Sequence, residues 1–454
     1  MGKKTLGYHY YHERIIKTYQ FLIPSNKKIL FYGSLDGKGL KKLSPRVGVG
    51  IEPNEELCQL AQKRFPQLKF INRRFENYKP EGKFDYVVLN GALDKTSDML
   101  MLLKNIQMAC KLSTRIIVYQ HNYLWQWILF LAEKLNLKRL EGNHNWLSIS
   151  DVRTYLEGVG FQNTRVFRRT IFPLDIFGLG KIINYMVAIF PFFDFFKLDQ
   201  FIIARPEATL FSNKFTDSLT VCLTVRNEKG NIEKIVKTIP RICRKQEILF
   251  IEGHSTDGTR EEIERVRRLY KSKNIRVIGQ PGKGQGDAIR VGFKDAKGEI
   301  IVLYEGDGTS DPRDIYYFYE AMKSGRFEFI EGSRFVYPLS LASMPLLNQV
   351  GNTLFAKWFS FFLGQKTTDV LSGIKAIYKR DYNLLFEEWG FLGFNDPFGD
   401  FELLYGAARM GLKIGEIPMR YYPRTYGQSK TQHFTQGLYL LKMAAKGYLM
   451  FRNN

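Results

Sequence analysis

Glu299-Ile-Ile-Val-Leu-Tyr304-Glu305-Gly-Asp307-Gly-Thr-Ser-Asp311-Pro312 joins an unbroken apolar run to a polar turn. A short apolar run bounded by turn residues reads as a strand covered on both faces, as in a parallel sheet. Three runs of the same kind precede it: Leu219-Thr-Val-Cys-Leu-Thr-Val225, Glu247-Ile-Leu-Phe-Ile251 and Ile275-Arg-Val-Ile278. Helical stretches near Asn231–Ile239, Arg260–Lys271 and Asp287–Lys294 separate them. Strands alternating with helices predict a parallel α/β sheet with crossover helices.

Ligands of such sheets bind outside the carboxyl ends of the strands. Each run ends there in residues that a core would reject: Arg226-Asn-Glu228, then Glu252-Gly-His-Ser255-Thr-Asp257-Gly-Thr259, Gly282-Lys283-Gly284, and Glu305-Gly-Asp307. One such ending is a turn; four in order along one edge make a site. Alternate residues of an extended strand point to the same side, so Glu305 and Asp307 are candidate ligands for Mg²⁺ or Mn²⁺ and a donor diphosphate. The glycines around Lys283 allow the backbone to approach a phosphate closely.

Upstream, the same logic recurs. Lys28-Ile-Leu-Phe-Tyr32 runs into the turn Gly33-Ser-Leu-Asp-Gly37, and Val47-Gly-Val-Gly-Ile51 ends at Glu52. After a helix near Asn54–Arg64 come strand-like runs at Lys69-Phe-Ile71, Asp85-Tyr-Val-Val-Leu89 and Ile116-Ile-Val-Tyr119. Ser148-Ile-Ser-Asp151 has the spacing of a helix cap for Val152–Gly158. Phe161–Phe167 and Asp199–Ala204 read as two closing strands. Residues 206–218 lack periodicity, which predicts a first domain over 1–205, a linker over 206–218 and a second domain over 219–454.

Composition bounds the function class. The 454 residues are 44% hydrophobic and 25% charged, which fits folded domains rather than disorder. A net charge of +22 favours acidic partners, namely nucleic acid, anionic headgroups or phosphorylated substrates. No nucleic-acid module is visible, so charge alone motivates an RNA-directed reading and no nucleic-acid partner is expected. Cys58, Cys110, Cys222 and Cys243 are far apart, which argues against a zinc site or a disulfide framework and fits a cytoplasmic setting. No apolar run reaches eighteen residues, so no spanning helix is expected. The aromatic segment Ile171–Phe196 reads equally as interfacial or as packing between domains, and Phe434–Phe451 as an interfacial helix or, rather more, as core packing; with the charge, peripheral contact with anionic lipid on the inner face of a membrane is the working expectation.

These residues carry two resemblances. From Leu219 to about Lys430 the chain resembles glycosyltransferase family two, especially the branch similar to dolichyl-phosphate mannose synthase. To the four strand endings it adds Gly332-Ser-Arg334, Asp369-Val-Leu-Ser-Gly373, Asp396-Pro-Phe-Gly-Asp400-Phe-Glu402 and Arg424-Thr-Tyr-Gly-Gln-Ser-Lys430, in the family's order. The resemblance implies a GT-A fold and inverting transfer from a nucleotide-sugar to a polyprenyl phosphate or a cell-envelope glycan. It implies donor contacts from Arg226, Glu228, Ser255, Asp257, Lys283, Asp307, Arg424 and Lys430, with Asp257 at the nucleotide base. Glu305 and Asp307 would hold the metal, and Asp400, then Asp396, would be the base for an acceptor hydroxyl. The family's paired acids after the second strand stand here as Glu252-Gly253, and its first metal-site Asp as Glu305.

The first domain resembles a class I methyltransferase with a Rossmann-like sheet, which implies S-adenosylmethionine held by Gly33, Gly37, Glu52 and Asn90. It departs at Phe31, where the family has an acid, and at Leu35, where it has a glycine. A scaffold that has lost the cofactor is the alternative.

Overall fold

The computed structural model describes residues 6–134, 145, 147–207, 218–336, 339, 343–389, 398–427 and 433–453. It divides into two compact units, Met1–Ser212 with Leu449–Asn454, and Asn213–Tyr448. Of the expected linker, residues 208–217 lie outside the described residues.

The first unit is a seven-stranded sheet of β1 (Lys28–Tyr32), β2 (Val47–Ile51), β3 (Lys69–Ile71), β4 (Tyr86–Asn90), β5 (Arg115–His121), β6 (Phe161–Arg168) and β7 (Asp199–Pro206). Their order is β3-β2-β1-β4-β5-β7-β6. The first five pair in parallel, and β7 runs antiparallel between β5 and β6. Alternation within β1 divides its side chains between two layers. Leu30 and Tyr32 join a core with Leu102 and Ile106 of the helix Met99–Ala109 and Val152 and Leu156 of the helix Ile149–Gly158. Phe31 packs edge-on against Tyr19 of the helix Leu6–Leu22, with ring centres 5.6 Å apart. An apolar neighbour is thus the reason an aromatic ring stands where the resembled family has an acid. Ser148 caps Ile149–Gly158 in a reciprocal box with Asp151, as its spacing predicts.

The second unit is a seven-stranded sheet of β8 (Ser218–Val225), β9 (Lys245–Glu252), β10 (Ile275–Gly279), β11 (Ile300–Glu305), β12 (Phe329–Ser333), β13 (Ile374–Tyr378) and β14 (Ile414–Pro418). Their order is β10-β9-β8-β11-β13-β12-β14. Leu219, Val221, Leu223 and Val225 alternate along β8 into a core with Ile232, Ile235 and Val236 of the helix Lys229–Thr238. The sheet is mixed rather than parallel throughout, because β13 runs antiparallel between β11 and β12. An apolar run states that a strand is buried, not which way it points, so this reversal had no local signal. The four polar strand endings do fall on one edge, with β8 and β11 paired in parallel at the centre. Among the described residues, no helix is long and apolar enough to cross a membrane.

Gly33 has a φ of +76°, and a Cβ there would lie 2.3 Å from the backbone oxygen of Asn90. The loop after β1 therefore closes onto β4 only with glycine. Gly33→Ala should destabilise the first unit by at least about 2 kcal/mol, from left-handed strain plus a backbone clash. Urea unfolding followed through that unit's signal checks this; a cost near zero would mean the loop packs otherwise.

Candidate active site

The loops after β8 and β9 are laced together by their own polar groups. The Asn227 amide donates to Ser255 Oγ at 2.9 Å, and Asn227 Oδ1 accepts from the Thr256 amide at 2.8 Å. Asn227 and His254 hold left-handed φ angles of 54° and 57°, the conformation in which short polar side chains are tolerated. Asp257 accepts from the amides of Thr259 at 3.0 Å and Lys229 at 3.2 Å, and from the Tyr426 hydroxyl at 3.3 Å. Burial pulls its carboxyl upward, but these donors outweigh it and hold the group below the usual carboxylate range.

Glu228 is buried and accepts from Asn231 Nδ2 at 2.8 Å and Arg424 Nη1 at 3.0 Å. The other terminal nitrogen of Arg424 reaches Asp307 Oδ2 at 3.1 Å. One guanidinium thus clips the end of β8 to the turn after β11, across 196 and 117 residues of sequence. The Lys283 turn is shaped by Gln280 Nε2, which donates to the carbonyls of Gly282 at 3.0 Å and Gly284 at 3.2 Å. Arg226 and Lys283 are exposed on these loops.

Glu305 is the last residue of β11, but Asp307 is not on the strand. It sits in the following turn, where its Oδ1 accepts from the amide and hydroxyl of Thr309 at 3.0 and 2.8 Å. Strand alternation is therefore not what relates the two acids; a turn stabilised by its own Asp side chain is. They still share one field. Burial, then the charges of Asp307 and Asp400, push Glu305 up to about 7. Gln285 Nε2 donates to it at 2.5 Å, and Gly373 makes room, since a Cβ there would stand 2.5 Å from Glu305 Oε2. A carboxylate raised by neighbouring carboxylates is the electrostatic setting that a divalent cation relieves, and oxygen ligands suit Mg²⁺ and Mn²⁺. The residues fit such an ion only in part. Among the described residues, no group of three His, Cys, Asp or Glu side chains could hold a metal alone, so diphosphate and water oxygens would complete the shell.

Asp400 opens the helix Asp400–Arg409 after Gly399, whose φ is 77°. Its carboxylate pairs with Lys375 Nζ at 3.1 Å, and Lys375 lies 3.6 Å from Glu331. Lys375 is 1% exposed in the middle of an apolar strand, so one buried cation serves two buried carboxylates. Burial pushes Glu331 up to about 7 even though Lys375 pulls the other way. Beside this group, Arg334 meets Asp369 through Nε at 2.7 Å and Nη2 at 2.8 Å. Asp396 and Lys430 lie outside the described residues. Sequence reading missed Gln285, Tyr426 and Lys375. For Lys375 the signal was there: a lone lysine inside Ile374-Lys-Ala-Ile-Tyr378.

In the first unit each of the four cofactor candidates meets groups of the protein itself, and Asn90 and Gly33 meet each other. Asn90 Nδ2 donates to the Gly33 carbonyl at 2.9 Å, and Asn90 Oδ1 accepts from Tyr19 at 2.9 Å. Glu52 is 5% exposed and accepts from the amides of Leu35 at 2.8 Å and Asn54 at 3.1 Å. Gly37 is needed for packing, since a Cβ would stand 2.8 Å from the Phe70 ring.

Glu331 titrates above its ordinary 4.5 when folded, so the folded state binds more protons than the unfolded one between about pH 4.5 and 7. Its contribution to stability is therefore fully present below that window and lost as pH rises through it. Lys375→Met removes the shared cation and should cost about 3–5 kcal/mol at pH 8, with a smaller loss at pH 5. Urea midpoints at the two pH values test this; an equal loss at both would mean that Lys375 acts by packing.

Residues 220–385 match the family described as Glycosyl transferase family 2, and residues 8–166 match one described as Methyltransferase domain. Glycosyltransferase AglJ of Haloferax volcanii is 32% identical over 185 residues, or 40% of this chain and 55% of its own length. A dolichyl-phosphate hexose transferase of the same organism is 28% identical over 233 residues, or 51% of this chain and 93% of its own. The chain thus spans about half the length of AglJ. Among solved structures, glucosyl-3-phosphoglycerate synthase of Mycobacterium tuberculosis aligns at 16% identity with a TM-score of 0.40, over 52% of this chain and 81% of that one. The chain therefore joins a methyltransferase-like domain to an α/β domain that matches glycosyl transferase family 2 over residues 220–385.

Proposed function

We propose that the second unit transfers a sugar, with inversion, from a nucleotide-sugar to a polyprenyl phosphate or a cell-envelope glycan. The observation that carries this reading is the convergence at one sheet edge of Glu228, Asp257, Glu305 and Asp307, with Arg424 bridging the first and last. Similarity over the same segment to a dolichyl-phosphate hexose transferase supports a phosphate-bearing lipid as acceptor. With the basic charge, the same acceptor class favours peripheral attachment to the inner face of a membrane.

In this reading Asp257 and Glu228 receive the nucleoside, with Asp257 at the base, and Ser255 holds the loop that carries them. Arg226, Lys283, Arg424 and Lys430 meet phosphate oxygens. Glu305 and Asp307 would hold Mg²⁺ or Mn²⁺, which would offset charge on the leaving diphosphate. The bond from the anomeric carbon to the diphosphate breaks as the acceptor oxygen bonds from the opposite face. Asp400, paired with Lys375, takes the proton of a hydroxyl acceptor, with Asp396 as the second candidate. A phosphate acceptor is already anionic and needs no base.

A donor panel tests this. Purified protein with Mn²⁺ should release nucleoside diphosphate from one nucleotide-sugar, and Asp307→Ala or chelation should lower the rate by roughly a hundredfold or more. Undiminished turnover in Asp307→Ala would remove Asp307 from the metal site. With phosphate acceptors, Asp400→Asn should retain far more activity than with hydroxyl acceptors.

For the first unit, one observation favours a scaffold over a methyltransferase. The side chains that would receive S-adenosylmethionine, Glu52 and Asn90, instead hold the loop after β1 and the helix Leu6–Leu22. Calorimetry of the full chain with S-adenosylmethionine should give no binding heat up to about 1 mM, a weak-binding limit near −4 kcal/mol. Saturable heat lost in Glu52→Ala would restore the methyltransferase reading.

A further inference from the structure

The first unit concentrates buried positive charge behind an apolar surface. Arg165, Phe167 and Arg169 alternate along β6 and just beyond it, so their side chains share one face. Both guanidinium groups lie over the Phe167 ring, at 4.7 and 4.9 Å from its centre. Arg452 and Lys197 approach from other elements, and both ion-pair with Asp194 at 2.5 Å. Arg165, Arg169, Lys197 and Arg452 are 1%, 4%, 1% and 7% exposed.

Arg169 is the member whose charge is least answered. Its Nε and Nη2 are buried without a hydrogen-bond partner. Burial, then repulsion from Arg165, Arg452 and Arg14, pulls its pKa well below the ordinary guanidinium value. A guanidinium does not shed its proton in a protein, so the cluster calls for an anion. Arg14, which acts on Arg169 through space, donates from Nε to Thr170 Oγ1 at 3.2 Å, on the residue next to Arg169. It also lines an open groove of about 400 Å³ with Lys181, Ile182, Asn184, Tyr185 and Met186. That is the size of a small-ligand site, with two cations on otherwise largely apolar walls, of which Lys181 also pairs with Asp175 at 3.3 Å.

The surface near the groove carries many exposed apolar side chains. Phe177 is 100% exposed, Phe192 75% and Ile182 60%, and Trp127 on the helix Gln126–Lys134 is 78% exposed. Trp125 Nε1 donates to the Phe196 carbonyl at 2.8 Å, so that helix and the aromatic turn Pro191–Phe196 belong to one surface. Exposed aromatics next to buried cations match an interface with apolar tails and anionic heads.

We propose that this groove receives the phosphate headgroup of a membrane amphiphile, with Arg14 and Lys181 meeting the phosphate, Arg169 supplying charge behind them, and the exposed face of Leu179–Ile189 meeting hydrocarbon. The proposal deepens the peripheral-membrane reading, rests on it, and does not depend on the transfer chemistry.

The test uses the full chain and two readouts. Vesicles of phosphatidylcholine with added phosphatidic acid should bind it roughly tenfold more tightly than phosphatidylcholine alone. Arg14→Gln and Arg169→Gln should each lose most of that gain while keeping the binding to phosphatidylcholine. Short-chain dihexanoyl phosphatidic acid should raise the melting temperature of the parent protein but not of either variant. Unliganded Arg169→Gln should melt no lower than the parent, because it removes an uncompensated buried charge; a purely structural arginine would lower it. Variants that respond to phosphatidic acid like the parent overturn the proposal. Equal stabilisation by inorganic phosphate also overturns it, in favour of a soluble anion. A melting response without vesicle binding upholds the groove and sinks the membrane reading alone.

Discussion

Surplus negative charge at the carboxyl edge of the second sheet is the constraint on which that unit depends. The strand endings and the start of one helix bring Glu228, Asp257, Glu305, Asp307 and Asp400 to one region, two of them buried and three half-buried. Two carboxylates in a low-dielectric setting repel by several kcal/mol unless something intervenes. Arg424 intervenes between Glu228 and Asp307, and Lys375 between Asp400 and Glu331. Backbone amides and the Tyr426 hydroxyl settle Asp257. Glu305 is left with a raised pKa, and that remainder is what a cation brought with a diphosphate would neutralise.

The first unit repeats the sheet plan with the opposite arrangement. At its carboxyl edge Glu52 and Asn90 hold the loop after β1, while the Tyr32 and Ser34 hydroxyls are buried without a hydrogen-bond partner. Its surplus is positive and sits behind an aromatic surface, where Arg165, Arg169, Lys197 and Arg452 crowd around Asp194. Two sheets of similar topology therefore offer different chemistry, because function follows the residues placed on a fold rather than the fold. Arginine suits such a place: it keeps its charge when buried and stacks on rings, as Arg165 and Arg169 do on Phe167.

Glycines set how closely these parts approach. Gly373 leaves space for Glu305, and Gly33 lets the loop after β1 press against β4. The second glycine shows how one motif supports two readings. A turn of this kind could admit a cofactor, but here the atoms that a Cβ would strike belong to the protein itself.

Local residues were enough to determine a good deal. Uninterrupted apolar runs such as Ile300–Tyr304 declare buried strands, and the polar residues that end four of them declare an edge meant for a ligand. Ser148 and Asp151 declare a helix start. These features are legible because backbone periodicity, capping and burial act over a few residues. Tertiary structure alone decided the rest: that β13 reverses direction, that Asp307 lies in a turn rather than on the strand with Glu305, that Arg424 ties Glu228 to Asp307, and that Glu52 and Asn90 are already occupied. Apart from the Asp307 turn, which Thr309 closes locally, each depends on which groups meet across tens to hundreds of residues, and a charge takes its meaning from the partner it meets there.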